Sequence, residues 1–359
     1  MTLFELRKKI ADELTLSFTQ DSLLNQQLHS VPLDADLILA HFLGKDRTWI
    51  MFHRDFKVED ELLQQILKAV EKRKTGFPVA YITNHKEFFG LDFYVDENVL
   101  IPKPDSEILI ENALQLQNNS QLTVCDMCCG SGCIGISFLN EVQKKVESGV
   151  WKAENGENNS QSSIFNTQLS LTFADISAAA LKIAEMNFER ICAQNASAYG
   201  AALSTAERSA FGEDERERTA EHATAKPGRP FTAKFIQSNL FENIPEEFDL
   251  ILTNPPYVPH SQSVELLQDG RSEPLLALDG DVTEGGTYSG TDDGLFLIKR
   301  LVPQCFSHLK AGGRCIMETG EYNAEQTAEL FKAAGFTEVC MEKDLNGMLR
   351  NVLGKKPEI

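Results

Sequence analysis

The sequence predicts an α/β protein, a doubly wound parallel sheet preceded by a small helical domain. Three observations carry that expectation. From residue 122 onward, apolar β-prone runs alternate with helical periodicities, as in a sheet whose strands are joined by crossover helices. Residues 1 to about 75 show only helical spacing. The first strand of the alternating region runs into Gly130-Ser131-Gly132 just before a helix, the arrangement of a ligand-binding crevice.

Taken in order, Leu3, Leu6, Ile10 and Leu14 recur at helical spacing. So do Leu37, Ile38, Phe42 and Leu43, then Leu62, Leu63, Ile66, Leu67 and Val70, with Gly44 and Gly76 where C-caps fall. Residues 1–76 carry no Cys/His metal spacing and no nucleotide loop, so a recognition domain is expected. Residues 77–104 read as a β-hairpin linker, with β-prone pieces at 78–82, 86–95 and 99–101 around a turn at Gly90. Phe88, Phe89 and residues 102–105 are placed to wall a pocket, and Asp105 is the expected N-cap of a helix over 106–116.

Residues 105–359 form the large domain. Strands are expected at 122–127, 171–174, 234–237, 249–253 and 314–318. The intervening helices begin at Cys133, cover 178–192 behind a Ser177 cap, and cover 294–309 and 324–334. A hairpin of 336–342 and 350–354 closes the sheet. Three stretches, near 147–167, 196–230 and 280–292, break this rhythm with polar, Gly-rich composition, and are expected to be insertions that are at least partly disordered.

The formal charge of −19 and a pI near 4.8 argue against tight non-specific binding to nucleic acid, which needs a basic face. A basic partner protein suits such a surface better. No apolar run is long enough to cross a bilayer, and residues 1–17 read as an amphipathic helix rather than a signal peptide. The eight cysteines sit mostly in apolar strands and helices, as reduced thiols of a cytoplasmic protein would, and a monomer is expected. Cys125-Asp126-Met127-Cys128 is formally C-x-x-C. Strand alternation would send its two thiols to opposite faces and no second pair is evident, so structural cysteines and no metal are expected.

The chain is organised around Asn254-Pro255-Pro256-Tyr257, which follows the buried strand 249–253. Each proline lacks an N–H, fixes φ and holds the residue before it extended, so the strand stops in a rigid tip. That tip presents the Asn254 side-chain oxygen, a Pro255 carbonyl that no ladder claims, and the Tyr257 ring. Two acceptors and a ring can hold a planar –NH2 group. In a sheet ordered 3-2-1-4-5 the tip and the loop 130–132 lie across one cleft, at the point where connections diverge. With only two glycines, the loop suits a nucleoside bearing a carboxylate tail better than a pyrophosphate, and Asp175 ends the second strand where it would accept both ribose hydroxyls. S-adenosylmethionine meets that description.

The pieces 76–82, 100–107, 126–132, 237–241 and 254–257, with Glu273-Pro274 and Ala277-Leu278, together resemble the HemK family. These are the protein-(glutamine-N5) methyltransferases that modify the Gly-Gly-Gln motif of peptide-chain release factors. The pieces run in family order over most of the chain. The resemblance implies a helical N-terminal domain, a hairpin linker and a class I, Rossmann-like methyltransferase domain. It places the donor loop on Cys128, Cys129, Gly130, Ser131 and Gly132, the ribose carboxylate on Asp175, the adenine side on Asn239 and Leu240, and the substrate clamp on Asn254, Pro255, Pro256 and Tyr257. Asn254 would also border the donor. The catalytic groups it implies are Asn254, Pro255 and Tyr257. Members often carry Gly at position 128, Asp at 239 and an aromatic at 240, so weaker donor binding is expected here. The rival reading is an N-methyltransferase of exocyclic amino groups in DNA or RNA, which uses similar tips but wants a basic groove.

Overall fold

A computed structural model describes residues 1–116, 121–148, 168–198 and 231–358. The expected insertions near 147–167 and 196–230 fall almost wholly outside these residues.

The helical layer at the N-terminus contains α1 (Leu3–Gln20), α2 (Val31–Leu43), α3 (Arg47–Phe52) and α4 (Asp60–Lys74). Thr2 and Glu5 form a reciprocal capping box that starts α1. Its periodic residues Leu3, Leu6, Ile10 and Leu14 are buried with Ile38, Leu39, Ile66 and Val70 in one core. Gly44 closes α2 in the left-handed conformation, at φ 61°. Arg73 and Asp34 form a buried ion pair at 2.8 Å in this layer, with the guanidinium over the Phe18 ring.

Residues 78–82 are not a strand. They form the short helix α5 (Val79–Thr83), which Pro78 opens at φ −60° and Asn84 closes at φ 54°. Packing overrides β-propensity here, because Val79 and Tyr81 are buried and the Tyr81 hydroxyl donates to the Val99 carbonyl at 2.6 Å. The hairpin that follows is β1 (Lys86–Phe88) and β2 (Leu91–Phe93), joined antiparallel through Phe89 and Gly90. Both turn residues have positive φ, as a type I′ turn requires. Residues 99–101 pair in no strand. Asp105 does not cap α6 (Glu107–Leu116); it lies inside a 3-10 turn, Pro104–Ser106, that leads into that helix. Its carboxylate stands 3.5 Å from Arg350 instead.

The remaining elements are β3 (Gln121–Met127), α7 (Cys133–Glu147), β4 (Gln168–Asp175), α8 (Ala178–Ala198), β5 (Phe231–Gln237) and β6 (Phe248–Thr253). After them come α9 (His260–Leu266), α10 (Leu275–Leu278), α11 (Phe296–Ser307), β7 (Leu309–Glu318), α12 (Ala324–Ala334), β8 (Thr337–Lys343) and β9 (Leu349–Lys355). The sheet order is β5-β4-β3-β6-β7-β9-β8. The first five strands are parallel, and β9 and β8 return antiparallel as the expected closing hairpin. Strand β7 starts earlier than the sequence suggests, because its ladder begins by pairing Leu309 with Phe248. Leu109, Ile110, Phe138 and Leu139 cover one face of the sheet, and Ile298, Leu301, Val302 and Phe331 the other.

The stretch 280–292, expected to be a partly disordered insertion, is instead built around the fully buried Asp281. That carboxylate accepts the Gly294 N–H at 2.7 Å and the Thr291 hydroxyl at 2.9 Å, and the Asp281 carbonyl accepts the Ser289 N–H. A Gly/Thr/Asp-rich composition signals a loop, and one buried acceptor suffices to order it.

Candidate active site

The cleft opens where β3 and β6 lie side by side while their connections leave in opposite directions, β3 toward β4 and β6 toward β7. A cavity of about 200 Å³ sits at their carboxyl ends. Its lining includes Cys128, Cys129, Gly130 and Ser131 on one side, Asp175, Asn239 and Leu240 on another, and Asn254 and Pro256 opposite them. Gly132, Pro255 and Tyr257 do not line it. Gly132 caps α7 at φ 76°, and a Cβ there would lie 3.1 Å from that of Ala184.

The loop side of the cavity combines an open glycine with a fixed carboxylate. Gly130 adopts φ 53° with nothing within 4 Å of the position a Cβ would take, so the loop is open toward the cavity. Asp175 accepts the Gly130 N–H through Oδ2 and the Ser177 N–H through Oδ1, each at 2.9 Å. These two bonds fix the carboxylate, and each oxygen keeps a lone pair for a hydroxyl. Asn239, which lines the cavity, gives Nδ2 to Glu242 Oε1 at 2.8 Å, so Oδ1 is its remaining acceptor. Leu240 is nearly buried and offers an apolar wall. Burial pushes the Cys128 and Cys129 thiols well up, so they are neutral and weak as competing methyl acceptors. All eight cysteines are free. No group of three or more metal-type ligands occurs among the described residues.

On the acceptor side Asn254 gives Nδ2 to the Ser106 hydroxyl at 3.1 Å. The amide is thereby turned so that Oδ1 is its remaining acceptor. Tyr257 lies differently from the expectation. Its ring packs against the core beneath the second sheet face, and its hydroxyl donates to Glu318 Oε1 at 3.0 Å. The Tyr257 carbonyl accepts from Asn323 Nδ2 at 3.1 Å and from the Tyr322 hydroxyl at 3.3 Å. Sequence reasoning singled out neither Ser106 nor Glu318. The available signals were a serine directly after Ile-Pro-Lys-Pro-Asp and an acid at the carboxyl end of the strand next to β6. Asp279, which also lines the cavity, was missed as well; of the residues expected to wall a pocket, Pro102 and Lys103 line it, and Phe88, Phe89, Pro104 and Asp105 do not.

Two buried carboxyls stand near the cleft. Burial pushes Asp126, whose Oδ1 has no partner, and Glu318, whose Oε2 has none, up to about 7. In the folded state both hold protons that an unfolded chain releases at ordinary carboxyl values of 3.8 and 4.5. Their contribution to stability is therefore complete below those values and lost as pH rises through about 7. Asp126→Asn keeps an acceptor for the Gly135 N–H and removes one titration. Relative to the parent it should gain on the order of 2–4 kcal/mol between about pH 5 and about pH 8, measured as the difference in urea unfolding free energy. A difference that does not vary with pH would place the Asp126 proton elsewhere.

Sheet order and cleft together make this a class I S-adenosylmethionine-dependent methyltransferase. Its residues 16–83 match the family model described as the PrmC N-terminal domain. The chain is 28% identical to the release factor glutamine methyltransferase of Clostridium acetobutylicum, over 96% of this chain and 98% of that one. It is 29% identical to the protein of the same name from Koribacter versatilis, over 90% and 91%. To that of Leptospira interrogans it is 28% identical, over 94% and 96%. The resemblance read from the motifs is thus matched by likeness to release factor glutamine methyltransferases across nearly the whole chain. No helix among the described residues is long and apolar enough to cross a membrane.

Proposed function

We propose that the protein transfers a methyl group from S-adenosylmethionine to the side-chain amide nitrogen, N5, of the glutamine in the Gly-Gly-Gln motif of peptide-chain release factors. The observation that carries this reading is the tip after β6, where Ser106 turns Asn254 so that Oδ1 remains as an acceptor across the cleft from the donor loop. Nearly full-length likeness to proteins of that name supports it.

Cys128, Cys129, Gly130 and Ser131 would hold the amino-acid end of the donor, Asp175 its ribose, and Asn239 Oδ1 with Leu240 its adenine. When bound, the donor supplies an electrophilic methyl on a sulfonium centre. Asn254 Oδ1 and the Pro255 carbonyl accept the two N–H bonds of the target amide and aim its nitrogen at that methyl. An amide nitrogen is a poor nucleophile because its lone pair is delocalised, so the work of the site is positioning and electrostatics rather than proton removal. The two acceptors bind more strongly as the nitrogen becomes positive, and the proton leaves to water afterwards. Tyr257 supports the tip through its hydrogen bond to Glu318. The acidic surface suits a basic protein substrate.

Incubating the purified protein with labelled S-adenosylmethionine and a release factor should place one methyl on the Gly-Gly-Gln glutamine, read by mass spectrometry of that peptide. Replacing that glutamine should abolish labelling, and duplex DNA and ribosomal RNA should stay unlabelled. Methylated nucleic acid with untouched release factor would mean that the tip holds a base. On the donor side, Asp175→Ala should weaken S-adenosylmethionine binding by about 1.5–3 kcal/mol, the scale of hydrogen bonds to a charged group. Unchanged affinity by calorimetry would remove Asp175 from the ribose site.

A further inference from the structure

Two bare backbones cross where the helical layer meets the acceptor side of the cleft. Thr75 and Gly76 follow α4, and Asp269 and Gly270 lie shortly after α9. A Cβ on Gly76 would stand 1.9 Å from the Asp269 carbonyl oxygen, and one on Gly270 would stand 1.9 Å from that of Thr75. Both glycines have positive φ, 88° and 80°. Left-handed backbone alone would admit asparagine, whereas the opposing carbonyl admits no side chain at all. Gln27 Nε2 reaches the same Asp269 carbonyl at 3.5 Å.

From that crossing the chain runs to the clamp. The buried Asp269 carboxylate accepts the Arg271 N–H at 3.1 Å and its guanidinium at 2.6 Å, which closes the turn. Glu273 is 4% exposed, and its Oε1 takes Lys103 Nζ at 2.7 Å. The Lys103 carbonyl accepts the Ser106 N–H at 3.1 Å, and the Ser106 hydroxyl holds Asn254. Pro274 then opens α10, and Pro274, Leu276, Ala277 and Asp279 line the cavity. At its far end the segment pairs with the chain just after the tip. The Val258 N–H donates to the Leu278 carbonyl and the Gly280 N–H to the Val258 carbonyl, each at 2.9 Å. Asp279 Oδ2 also lies 2.6 Å from His260 Nδ1.

We propose, on the reading of the clamp given above, that residues 269–280 are a strap by which the helical domain positions the acceptor wall and the clamp. Gly76, Gly270 and Glu273 are then positioning residues for the methyl transfer. The strap is pinned to the helical domain at Gly76, to the linker at Lys103 and to the tip at Val258. Contact at the first of these is backbone on backbone, so no flexible side chain absorbs a displacement, and a shift there passes along the turn to α10. Gly130 and Asp175 hang on β3 and β4, to which the strap makes none of these bonds. A push at Gly76 therefore moves the acceptor side and leaves the donor side in place. A misplacement of about 1 Å between reacting groups is enough to cost about 10²-fold in rate.

Hydrogen exchange tests the strap without any substrate. In Gly76→Ala, a change within the helical domain, the amides of Val258, Asp279 and Gly280 should exchange about 10-fold faster than in the parent. The Cys129 and Ile136 amides, which bond to the Ala174 and Gly132 carbonyls on the donor side, should keep the parent's rates. Gly44→Ala is the control. Gly44 has φ 61° and nothing within 4 Å of its Cβ position, so it carries the conformational cost alone and should leave both groups of amides unchanged. In turnover with release factor, Gly76→Ala and Gly270→Ala should each lower kcat about 10-fold or more and change the donor dissociation constant less than about two-fold. Should the glycine variants fail to fold, Glu273→Gln keeps the shape and one acceptor, weakens the hold on Lys103, and should raise exchange at the same strap amides. A parent that methylates no release factor while the exchange pattern holds would unseat the acceptor and leave the strap standing. Strap amides that exchange at the parent's rate in every folded variant, or a rise shared equally by Cys129 and Ile136, would overturn the proposal.

Discussion

Asn254→Ala should lower kcat by about 10²-fold or more while leaving the donor dissociation constant within a factor of about two. The size of the loss follows from when the bond matters. In the ground state the target –NH2 is a neutral amide, and a hydrogen bond to Asn254 Oδ1 is an ordinary one. As the methyl transfers, the nitrogen becomes cationic and both acceptors tighten on its hydrogens, so the lost interaction is one made mainly in the transition state. Deleting one donor of an oxyanion hole costs about 10²–10³ in kcat, and this is the same effect with the charges reversed. The Pro255 carbonyl remains as a second acceptor and keeps the enzyme from complete loss. The donor loop, Asp175 and Asn239 are separate from the substitution, which leaves donor affinity alone. Ser106 loses the hydrogen that Asn254 gave it and becomes free to rotate, which disturbs the tip further. Single-turnover kinetics with calorimetry of the donor checks the split. A raised KM at unchanged kcat would show Asn254 binding substrate without assisting the transfer.

How much of this was legible in the sequence depends on the range of the interactions involved. The parallel strands could be read because each is a short apolar run flanked by helical periodicity, a local signal that burial on both faces enforces. The tip at Asn254 could be read because two consecutive prolines leave the backbone little choice. The helix Val79–Thr83 could not. Its β-branched residues carry the opposite local preference, and a Tyr81 hydrogen bond to Val99, far along the chain, decides the matter. Residues 280–292 failed for the same reason, since the buried carboxylate of Asp281 orders a composition that on its own spells disorder. At the site, Gly130 and Asp175 could be singled out because each stands just past the end of a strand that the sequence marks, whereas Asn239 and Leu240 came from the resemblance alone. Ser106 and Glu318 were hidden because they reach Asn254 and Tyr257 from residues 148 and 61 positions away. Tyr257 was misread in its direction: an aromatic beside a tip suggests a wall for substrate, whereas its hydroxyl finds a buried carboxylate.

Gly294→Ala should both destabilise the protein and disable it, although Gly294 lies 37 residues beyond Tyr257 in the chain. Gly294 sits at φ 69°, and a Cβ built there would stand 2.0 Å from the Tyr257 carbonyl oxygen. No real Cβ comes so close, and the obstacle is backbone, which cannot swing aside as a long side chain can. The carbonyl is further held by Asn323 and Tyr322, and Gly294 by its N–H bond to Asp281, so neither partner yields freely. The left-handed conformation alone costs alanine about 1–2 kcal/mol. With the displacement added, a loss of stability of about 2–4 kcal/mol is expected by urea unfolding. The activity of the folded fraction should fall about 10²-fold, because the carbonyl that moves is three residues from Asn254 along a proline-stiffened tip. A misplacement of about 1 Å at a positioning site is enough for that loss. Gly286→Ala is the control. Gly286 has φ 74° and nothing within 4 Å of its Cβ position, so it carries the conformational cost without the collision. If both variants lost stability equally and both kept full turnover, the contact between Gly294 and Tyr257 would have no part in holding the clamp. A loss of turnover confined to Gly294→Ala would instead tie the ordered segment around Asp281 directly to the geometry of the methyl acceptor.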